Sequence, residues 1–471
     1  MNNTIKLMTF GLAISVLQAC TTVGPDYENP NIDQMTVSID QQADIVEREA
    51  KWWQHFNDPQ FDKIVDMAIS NNLSLKKATE NVKKSFAVFD DVDNDDLPVA
   101  SLEATYTNQD QVTPGFSESR TNLRTYELGA SLSWSADLFG KIERSRQAAQ
   151  ANTEAALFAL RDLQVGIISQ AVQAYGDLKG LKSRIIILKK NIGIVEQTKS
   201  IVQSHYEEGF ASSLDLKRVE AQYYNALANL PAFEASYQRT RNYLEALLGS
   251  KEALPIFAFD SLNQHKLSLN KPFAIGNASE FLRKRADVYR AERRLAMASA
   301  EIGANVAELY PDINVSGFIG FLTGDLSNLG SGTEAWRVAP SLSWNILDYG
   351  SINARIKIAK AEERTAYFEF HETILNAIKE VDTSLNTHTN IQKRQQFLAA
   401  QLDASRAAHS LARELYESGE IGLLDLLDAE RSVLNIEDEF VVSNIESFSS
   451  IVDVYSVFGG GLYTQQDNTT I

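Results

Sequence analysis

The stretch SLSWNILDYGSINARIKIAKA (341–361) decides the fold, because the chain carries it twice: SLSWSADLFGKIERSRQAAQA (131–151) lies 210 residues earlier. In each copy, an alternating apolar and polar run ends at a Trp, breaks at an Asp and a Gly, and continues as a long helical pattern. The pattern predicts a strand that leads directly into a helix.

The duplication extends over more than a hundred residues at a constant offset. HYEEGFASSLDLKRVEA (205–221) aligns with LYESGEIGLLDLLDAER (415–431), and Gly249 aligns with Gly459. Two copies of one long unit are therefore expected, rather than a string of short solenoid repeats. Each repeat is predicted to contain a strand hairpin, a long helix, a tight turn and a shorter return helix.

The repeats divide the chain into six predicted segments. These are a lipoprotein signal peptide (1–19), a lipid-anchored extended segment (20–49), repeat 1 (50–249, with its strand hairpin at 98–136), an equatorial connector (250–279), repeat 2 (280–461, with its hairpin at 311–346) and a C-terminal tail (462–471). The first segment combines Lys6 with a short apolar run, as secretory signals do.

Cys20 is the only cysteine, so no disulfide can form within the chain. Its place after LQA (17–19) is typical of the lipobox of bacterial lipoproteins, in which the cysteine is acylated. The alternative is an incidental cysteine inside a discarded peptide. A single lipid anchor holds a membrane weakly, so we expect it to assist a second one.

Composition limits the partners and the mode of membrane contact. The chain has 44 Lys+Arg against 62 Asp+Glu, a net charge of −18, which argues against a nucleic-acid partner. After residue 20, no apolar run approaches the roughly 18 residues of a transmembrane helix. Membrane crossing would therefore have to use strands.

Four runs have the period-two alternation of membrane strands. In TYELGASLSWSA (125–136), alternate positions from Tyr126 to Trp134 are apolar or aromatic, and the copy repeats this from Trp336 to Trp344. A soluble, half-buried hairpin would show the same pattern. Four strands cannot close a barrel, however, and lipid does not tolerate open edges, so three chains that supply twelve strands are the expected arrangement. Tyr126, Trp134, Trp336 and Trp344 would be its aromatic anchors.

The opening of the mature chain resembles the TolC-like outer membrane factors, in the lipoprotein branch that serves RND-type multidrug efflux pumps. The matching residues are Gly24, Pro25, Asp26, Tyr27, Pro30, Trp52, Trp53, Phe56, Asp58, Pro59, Asn72, Leu73 and Ala78. The likeness continues to about Gly461. It implies an α+β membrane protein: a homotrimer with a 12-strand outer-membrane β-barrel continuous with a 12-helix periplasmic α-barrel.

The turn between the long and the return helix carries the same motif in both repeats. Tyr-Glu-x-Gly is followed by Leu-Asp-Leu, which places Gly209, Leu214 and Asp215 in repeat 1 and Gly419 and Asp425 in repeat 2. Gly allows the left-handed conformation that ends a helix, and an Asp in the next first turn interacts favourably with the helix dipole. Both aspartates can thus be read simply as helix-start devices.

The resemblance assigns the second turn to a gate. Leu424, Asp428 and Arg431 match the gate of the lipoprotein branch, and Asp425 with Asp428 matches an acidic ring of the founding member. Their spacing puts Leu424, Asp428 and Arg431 on one helix face. In a trimer these faces would close the pore by Leu packing and Asp–Arg contacts between chains. The alternative is an ordinary solvated helix surface.

The residues that would make this end acidic are Glu414, Glu417, Glu420, Asp425, Asp428 and Glu430. A ring of carboxylates in a narrow pore would favour cations and could bind a divalent ion. The resemblance further implies a periplasmic adaptor that docks at the tips (Gly209, Leu214, Asp215, Gly419) and an inner-membrane transporter as partners.

Catalysis is not expected. The 6 His are scattered without metal-ligand spacing, and HExxH, Walker and GxSxG motifs are absent from the sequence. We therefore expect no cofactor except the covalent lipid on Cys20, and no metal. The predicted function is a passive efflux duct in the outer membrane of a Gram-negative bacterium. The alternatives are a non-conducting coiled-coil scaffold or adhesive lipoprotein, and a protein-secretion duct.

Overall fold

The computed structural model describes residues 22–30, 51–113, 117–250, 282, 285–330 and 332–460. Cys20, the predicted signal peptide 1–19, nearly all of the predicted connector 250–279 and the tail 462–471 lie outside the described residues. The chain forms two compact units, and each contains segments from both predicted repeats.

The described elements follow the predicted order. The helices are α1 (Pro59–Asn71), α2 (Leu73–Asp93), α3 (Lys141–Glu207), α4 (Ser213–Leu247), α5 (Ala286–Ala307), α6 (Tyr349–Glu417) and α7 (Leu423–Val457), and the strands are β1 (Val99–Thr113), β2 (Ser117–Ala136), β3 (Asp312–Thr323) and β4 (Glu334–Ser343). A 3-10 helix at Trp52–Phe56 precedes α1. The two long helices, α3 and α6, have 67 and 69 residues, so each is about 100 Å long at 1.5 Å per residue.

The first unit comprises the strap (residues 22–30) and the described residues of Glu80–Leu157 and Tyr289–Glu372. Its four strands form one antiparallel sheet in the order β1-β2-β3-β4. The register places Leu102 opposite Ala130, Ala130 opposite Ile319, and Ile319 opposite Trp336. The four predicted apolar faces are therefore one continuous face.

This apolar face is open: Leu102, Ile319 and Trp336 are 90%, 68% and 78% exposed. Tyr126 and Trp134 lie near the two ends of its run in β2, about 26 Å apart at 3.3 Å per residue. The apolar band of an outer-membrane barrel is about 25 Å tall. The face thus has the length and the exposure of a lipid-contacting surface.

The predicted end of the second hairpin is wrong. The structure ends β4 at Ser343, so Trp344 lies beyond the strand and Ile346 begins a short 3-10 helix, Ile346–Asp348. The Trp344 indole instead donates to the Leu309 carbonyl at 3.0 Å, much as the Trp134 indole donates to the Asp96 carbonyl at 3.0 Å. Each tryptophan therefore links the end of one strand to the segment before its partner strand.

The strap is fixed to the helices that flank the sheet. The Arg144 guanidinium, whose side chain is 3% exposed, donates to the Val23 carbonyl at 3.1 Å and to Asp26 at 2.7 Å. Gly24 has φ +89°, and a Cβ there would lie 2.5 Å from the Gly303 Cα. Only glycine fits this close approach with a left-handed backbone. The strap thus holds the chain just after Cys20 at a defined place.

Tyr27 of the strap joins a partly buried ionic network. Its hydroxyl donates to Glu292 on α5, and Arg293 donates to Glu154 on α3 at 2.9 Å. Burial first, and the neighbouring Glu292 second, raise the pKa of Tyr27. The hydroxyl therefore stays neutral and acts as a donor.

The second unit comprises the described residues of Ile32–Thr79, Phe158–Val288 and Thr373–Ile471. Its core is aromatic: Trp52 stacks on Tyr455 with ring centroids 4.9 Å apart, and Phe61 meets the Tyr175 ring edge-on at 4.9 Å. A Cβ at Gly176 of α3 would lie 2.0 Å from the Phe448 ring of α7. That glycine therefore lets the two helices approach closely.

Asp58 connects three parts of this unit. Its carboxylate caps α1 by accepting from the Gln60 backbone N–H at 3.0 Å, and it accepts from the Tyr175 hydroxyl at 3.0 Å and the Lys179 ammonium at 2.9 Å. Burial alone would raise the pKa of Asp58, but these donors hold it below the ordinary value. Asp58 is consequently ionised at neutral pH.

One sequence expectation about helices needs correction. Among the described residues, α3 contains an 18-residue window that is long and apolar enough to cross a membrane, with 39% of it buried. Residues such as Ile168, Ala171 and Val172 of this helix lie in the aromatic core of the second unit. Packing inside the protein therefore accounts for part of this apolar composition.

Candidate gate at the two helix turns

The two turns of the second unit have the same backbone structure. After α3, Gly209 has φ 87° and the Phe210 N–H donates to the His205 carbonyl at 2.7 Å; after α6, Gly419 has φ 79° and the Glu420 N–H donates to the Leu415 carbonyl at 2.8 Å. These bonds are the pattern of a helix that ends at a left-handed residue. The prediction that both glycines end a helix in the left-handed conformation is therefore confirmed.

The return helices begin differently. Ser212 caps α4, and its hydroxyl and backbone N–H exchange hydrogen bonds with Asp215 in a capping box. In α7 the same position is Gly422, which provides no side-chain cap, although Asp425 lies in the first turn. The helix-start interpretation is confirmed in full for Asp215. Asp425 also lies in the first turn of its helix, as predicted, but no side-chain capping hydrogen bond forms at the start of α7.

An apolar cluster, here called the tip core, joins the two turns. It consists of Val202, Leu216, Val219, Leu423, Leu426 and Leu427. It fixes which side of α7 is covered: Leu423, Leu426 and Leu427 are 4–8% exposed, whereas Leu424 is 57% exposed. The periodicity of α7 thus separates a buried face from an outward one.

The outward side of α7 carries all four predicted gate residues: Leu424, Asp425, Asp428 and Arg431. We call this set the gate face. Arg431 donates to Asp428 at 2.7 Å within the same helix, and the two side chains are 70% and 75% exposed. This pair lies within one chain, whereas the sequence prediction is of Asp–Arg contacts between chains. An ion pair this exposed contributes under about 1 kcal/mol, so it leaves both groups able to exchange partners.

Repeat 1 has a different charge at the matching positions. Arg218 replaces Asp428 and lies 3.8 Å from Asp215, and Ala221 replaces Arg431. Leu214 and Phe210 next to this turn are 56% and 81% exposed. The two turns therefore share a backbone and an exposed leucine, but the Asp–Arg pair is Asp215–Arg218 in the first and Asp428–Arg431 in the second.

One of the six residues that were predicted to make this end of the molecule acidic, Glu430, is not at the surface. Glu430 is 0% exposed and lies on the buried side of α7, so it is not part of the outward carboxylates. The apolar spacing of Leu423, Leu426, Leu427 and Val433 includes position 430, and this signal could have revealed the burial. Within the described ranges, no group of three or more His, Cys, Asp or Glu is placed to hold a metal ion.

Comparisons with known proteins give one consistent likeness. The model of the family described as "Outer membrane efflux protein" matches residues 64–250 and 277–442. Nodulation protein T of Rhizobium leguminosarum bv. trifolii is 26% identical over 456 residues, which are 95% of this chain and 96% of the relative. Outer membrane protein OprJ of Pseudomonas aeruginosa is 26% identical over 456 residues, 96% of this chain and 95% of the relative.

A solved structure gives the same likeness in three dimensions. The outer-membrane channel OprN superposes with a TM-score of 0.84 at 34% identity, covering 94% of this chain and 99% of that one. The likeness thus extends along nearly the whole of both chains.

Proposed function

The chain belongs to the outer membrane efflux protein family, and from this premise we propose how its sheet and helix turns form a gated duct. It is an outer membrane efflux channel of the kind that works in a tripartite system. Its task is passive: it conducts substrate that an energised partner delivers, and no chemical step on the substrate is involved.

The observation that carries the proposal is the four-stranded sheet with one exposed apolar face. In lipid, the unpaired N–H and C=O groups along β1 and β4 would each cost several kcal/mol. Three copies that pair β1 of one chain with β4 of the next satisfy these groups and give a closed barrel of twelve strands. The aromatic side chains near the ends of the apolar face would then lie at the two membrane interfaces.

The same symmetry would arrange the helices. If each copy contributes α3, α4, α6 and α7, twelve helices form a tube that continues from the barrel into the periplasm. The turns would lie at the far end of this tube, where the three gate faces converge. Leu424 would narrow the pore, and Asp428 and Arg431 would exchange their bond within one chain for bonds between chains.

The exposed turns would dock a periplasmic adaptor. Gly209 and Gly419 shape them, Asp215 stabilises the first one by capping α4, and Leu214 offers an apolar contact. The adaptor would join the duct to an inner-membrane transporter, which we propose to be of the RND type.

Cys20 would carry the lipid that tethers the N terminus to the outer membrane. The strap supports this assignment, because Arg144 and Gly303 hold residues 23–26 within the unit that contains the strands. The chain would then divide as the sequence predicts, with residues 1–19 removed on secretion and residues 250–279 joining the two repeats.

Planar-bilayer recordings of the purified full-length protein test this function. We expect discrete unitary currents from preparations whose mass in detergent corresponds to three chains. Correctly folded trimers that pass no current under any applied voltage would contradict a conducting duct. A variant with Leu102→Glu and Val338→Glu is the control, because it puts charges on the lipid-facing side of both edge strands and is expected to abolish insertion.

A further inference from the structure

Glu430 is a fully buried carboxyl on the helix that carries the gate face. It lies one turn from Leu427 and Val433, which are 8% and 4% exposed, and is itself 0% exposed. The Thr198 hydroxyl of α3 donates to its Oε2 at 3.2 Å, while its Oε1 has no hydrogen-bond partner in the described structure. A carboxylate buried with one bond is poorly compensated.

The charged groups near Glu430 form their hydrogen bonds with other residues. The Arg413 guanidinium of α6 acts on it through space but donates to Glu417 at 3.1 Å. His409 of α6 lies near Arg413 and Glu437, and burial first and Arg413 second lower its pKa. On α7 itself, Asp428 and Arg431 are bonded to each other. Thr198 is the polar group that faces it from α3.

The second buried glutamate of α7, Glu437, differs from Glu430 because cations compensate its buried charge. Glu437 is 6% exposed, and it accepts from Arg406 at 2.7 Å and lies 3.9 Å from the Lys190 ammonium. Glu430 has no ion-pair partner among the described residues. Of two buried carboxyls on one helix, the one beside the gate face is the one left without a cation.

The duplication gives an internal comparison. The residue of repeat 1 that corresponds to Glu430 is Glu220, which pairs with the Lys217 ammonium at 2.6 Å. The residue that corresponds to Lys217 in repeat 2 is the buried Leu427. The two copies thus share the glutamate, but only repeat 1 has its cation one turn earlier.

We propose that Glu430 is a positioning residue of the gate: it holds α7 in the closed arrangement as a neutral carboxyl bound to Thr198, and it ionises when α7 shifts and water reaches it. The inference rests on the proposed gate. Moving the gate face away from the pore axis shifts α7 against α3 and α6, and this movement exposes the pocket of Glu430. Pore opening is then coupled to the loss of one proton per chain.

The direction of the pH effect follows from this geometry. Burial raises the pKa of Glu430 in the packed state, and the Thr198 hydroxyl and Arg413 offset this only in part. In the open, hydrated state the carboxyl would return towards the ordinary value near 4.3. The closed state therefore binds more protons, so rising pH favours opening. Each carboxyl can contribute up to about a tenfold change in the open-to-closed ratio per pH unit.

The test measures open probability in planar bilayers from about pH 4.5 to pH 8 for the wild type, Glu430→Gln and the matched control Glu220→Gln. We expect the wild type and Glu220→Gln to open more as pH rises. Glu430→Gln, which keeps a neutral hydrogen-bonding side chain, should stay mostly closed with a flat profile.

Three results would overturn the inference: a Glu430→Gln profile that keeps the wild-type slope, equal flattening by Glu220→Gln, or a wild type whose open probability falls as pH rises. Asp428→Asn separates this effect from the gate itself, because it should raise the open probability while leaving the slope unchanged. A conducting wild type with a slope independent of Glu430 contradicts only this inference. A wild type that never conducts contradicts the proposed duct as well.

Discussion

Asp428→Ala is expected to raise the mean current through single channels severalfold. On the gate face, Asp428 is the carboxylate that the Arg431 guanidinium binds, at 2.7 Å, and both side chains are exposed where three copies would meet. In a constriction with little water, charge pairs between chains are stronger than on an open surface. Removing the carboxylate leaves three arginines that repel one another, so the constriction widens.

The matched control is Arg218→Ala, because Arg218 is the repeat 1 residue that corresponds to Asp428. It lies on the other return helix, beside Asp215 at 3.8 Å. We expect its current to equal that of the wild type. Planar-bilayer recordings of the wild type, Asp428→Ala and Arg218→Ala at one voltage and pH measure these currents. Equal currents from Asp428→Ala and the wild type would remove Asp428 from the gate.

Asp58→Ala is expected to produce the largest loss of stability, with the free energy of unfolding lowered by about 3–5 kcal/mol at neutral pH. The change leaves the Lys179 ammonium, whose side chain is 8% exposed, without its counter-ion. It also removes the N-cap of α1 and the acceptor of the Tyr175 hydroxyl. Thermal unfolding of the detergent-solubilised protein measures the loss.

The pH dependence of this loss has a fixed sign. The folded state holds the pKa of Asp58 below its ordinary value, so its contribution is complete above about pH 4 and disappears as pH falls through the folded value. The melting curves of wild type and variant should therefore approach each other in acid. Asp66→Ala on the same helix is the control, because Asp66 is exposed. A loss as large from Asp66→Ala would contradict the specific role of Asp58.

The parts of the fold that repeat locally could be predicted from the sequence. Period-two alternation places Tyr126, Ala130 and Trp134 on one face of their strand, because strand side chains alternate whatever the partner strand is. The helix turns were equally readable, since Gly209 and Gly419 end helices through a local backbone conformation. The shared helix face of Leu424, Asp428 and Arg431 follows from their spacing alone.

What the sequence did not reveal depends on contacts between distant segments. Trp344 was assigned to the strand, but its indole binds the carbonyl of Leu309 and lies past the end of β4. Glu430 was counted with the exposed carboxylates, because its charge outweighed its place in the apolar spacing. The strap is a further example, because the sequence around Gly24 does not indicate that this residue packs closely against Gly303.

Cross-linking the edges of the sheet tests whether three copies close one barrel. Cysteines are placed on both edge strands, with Val338→Cys in β4 and Leu102→Cys or Ala104→Cys in β1. Cys20 is the only native cysteine, and its sulfur would be occupied by the lipid. Oxidation of the membrane-inserted protein should give a covalent product of three chains and nothing larger, and neither single-cysteine variant should give it. A product confined to one chain, or a ladder beyond three chains, would contradict the closed trimeric barrel.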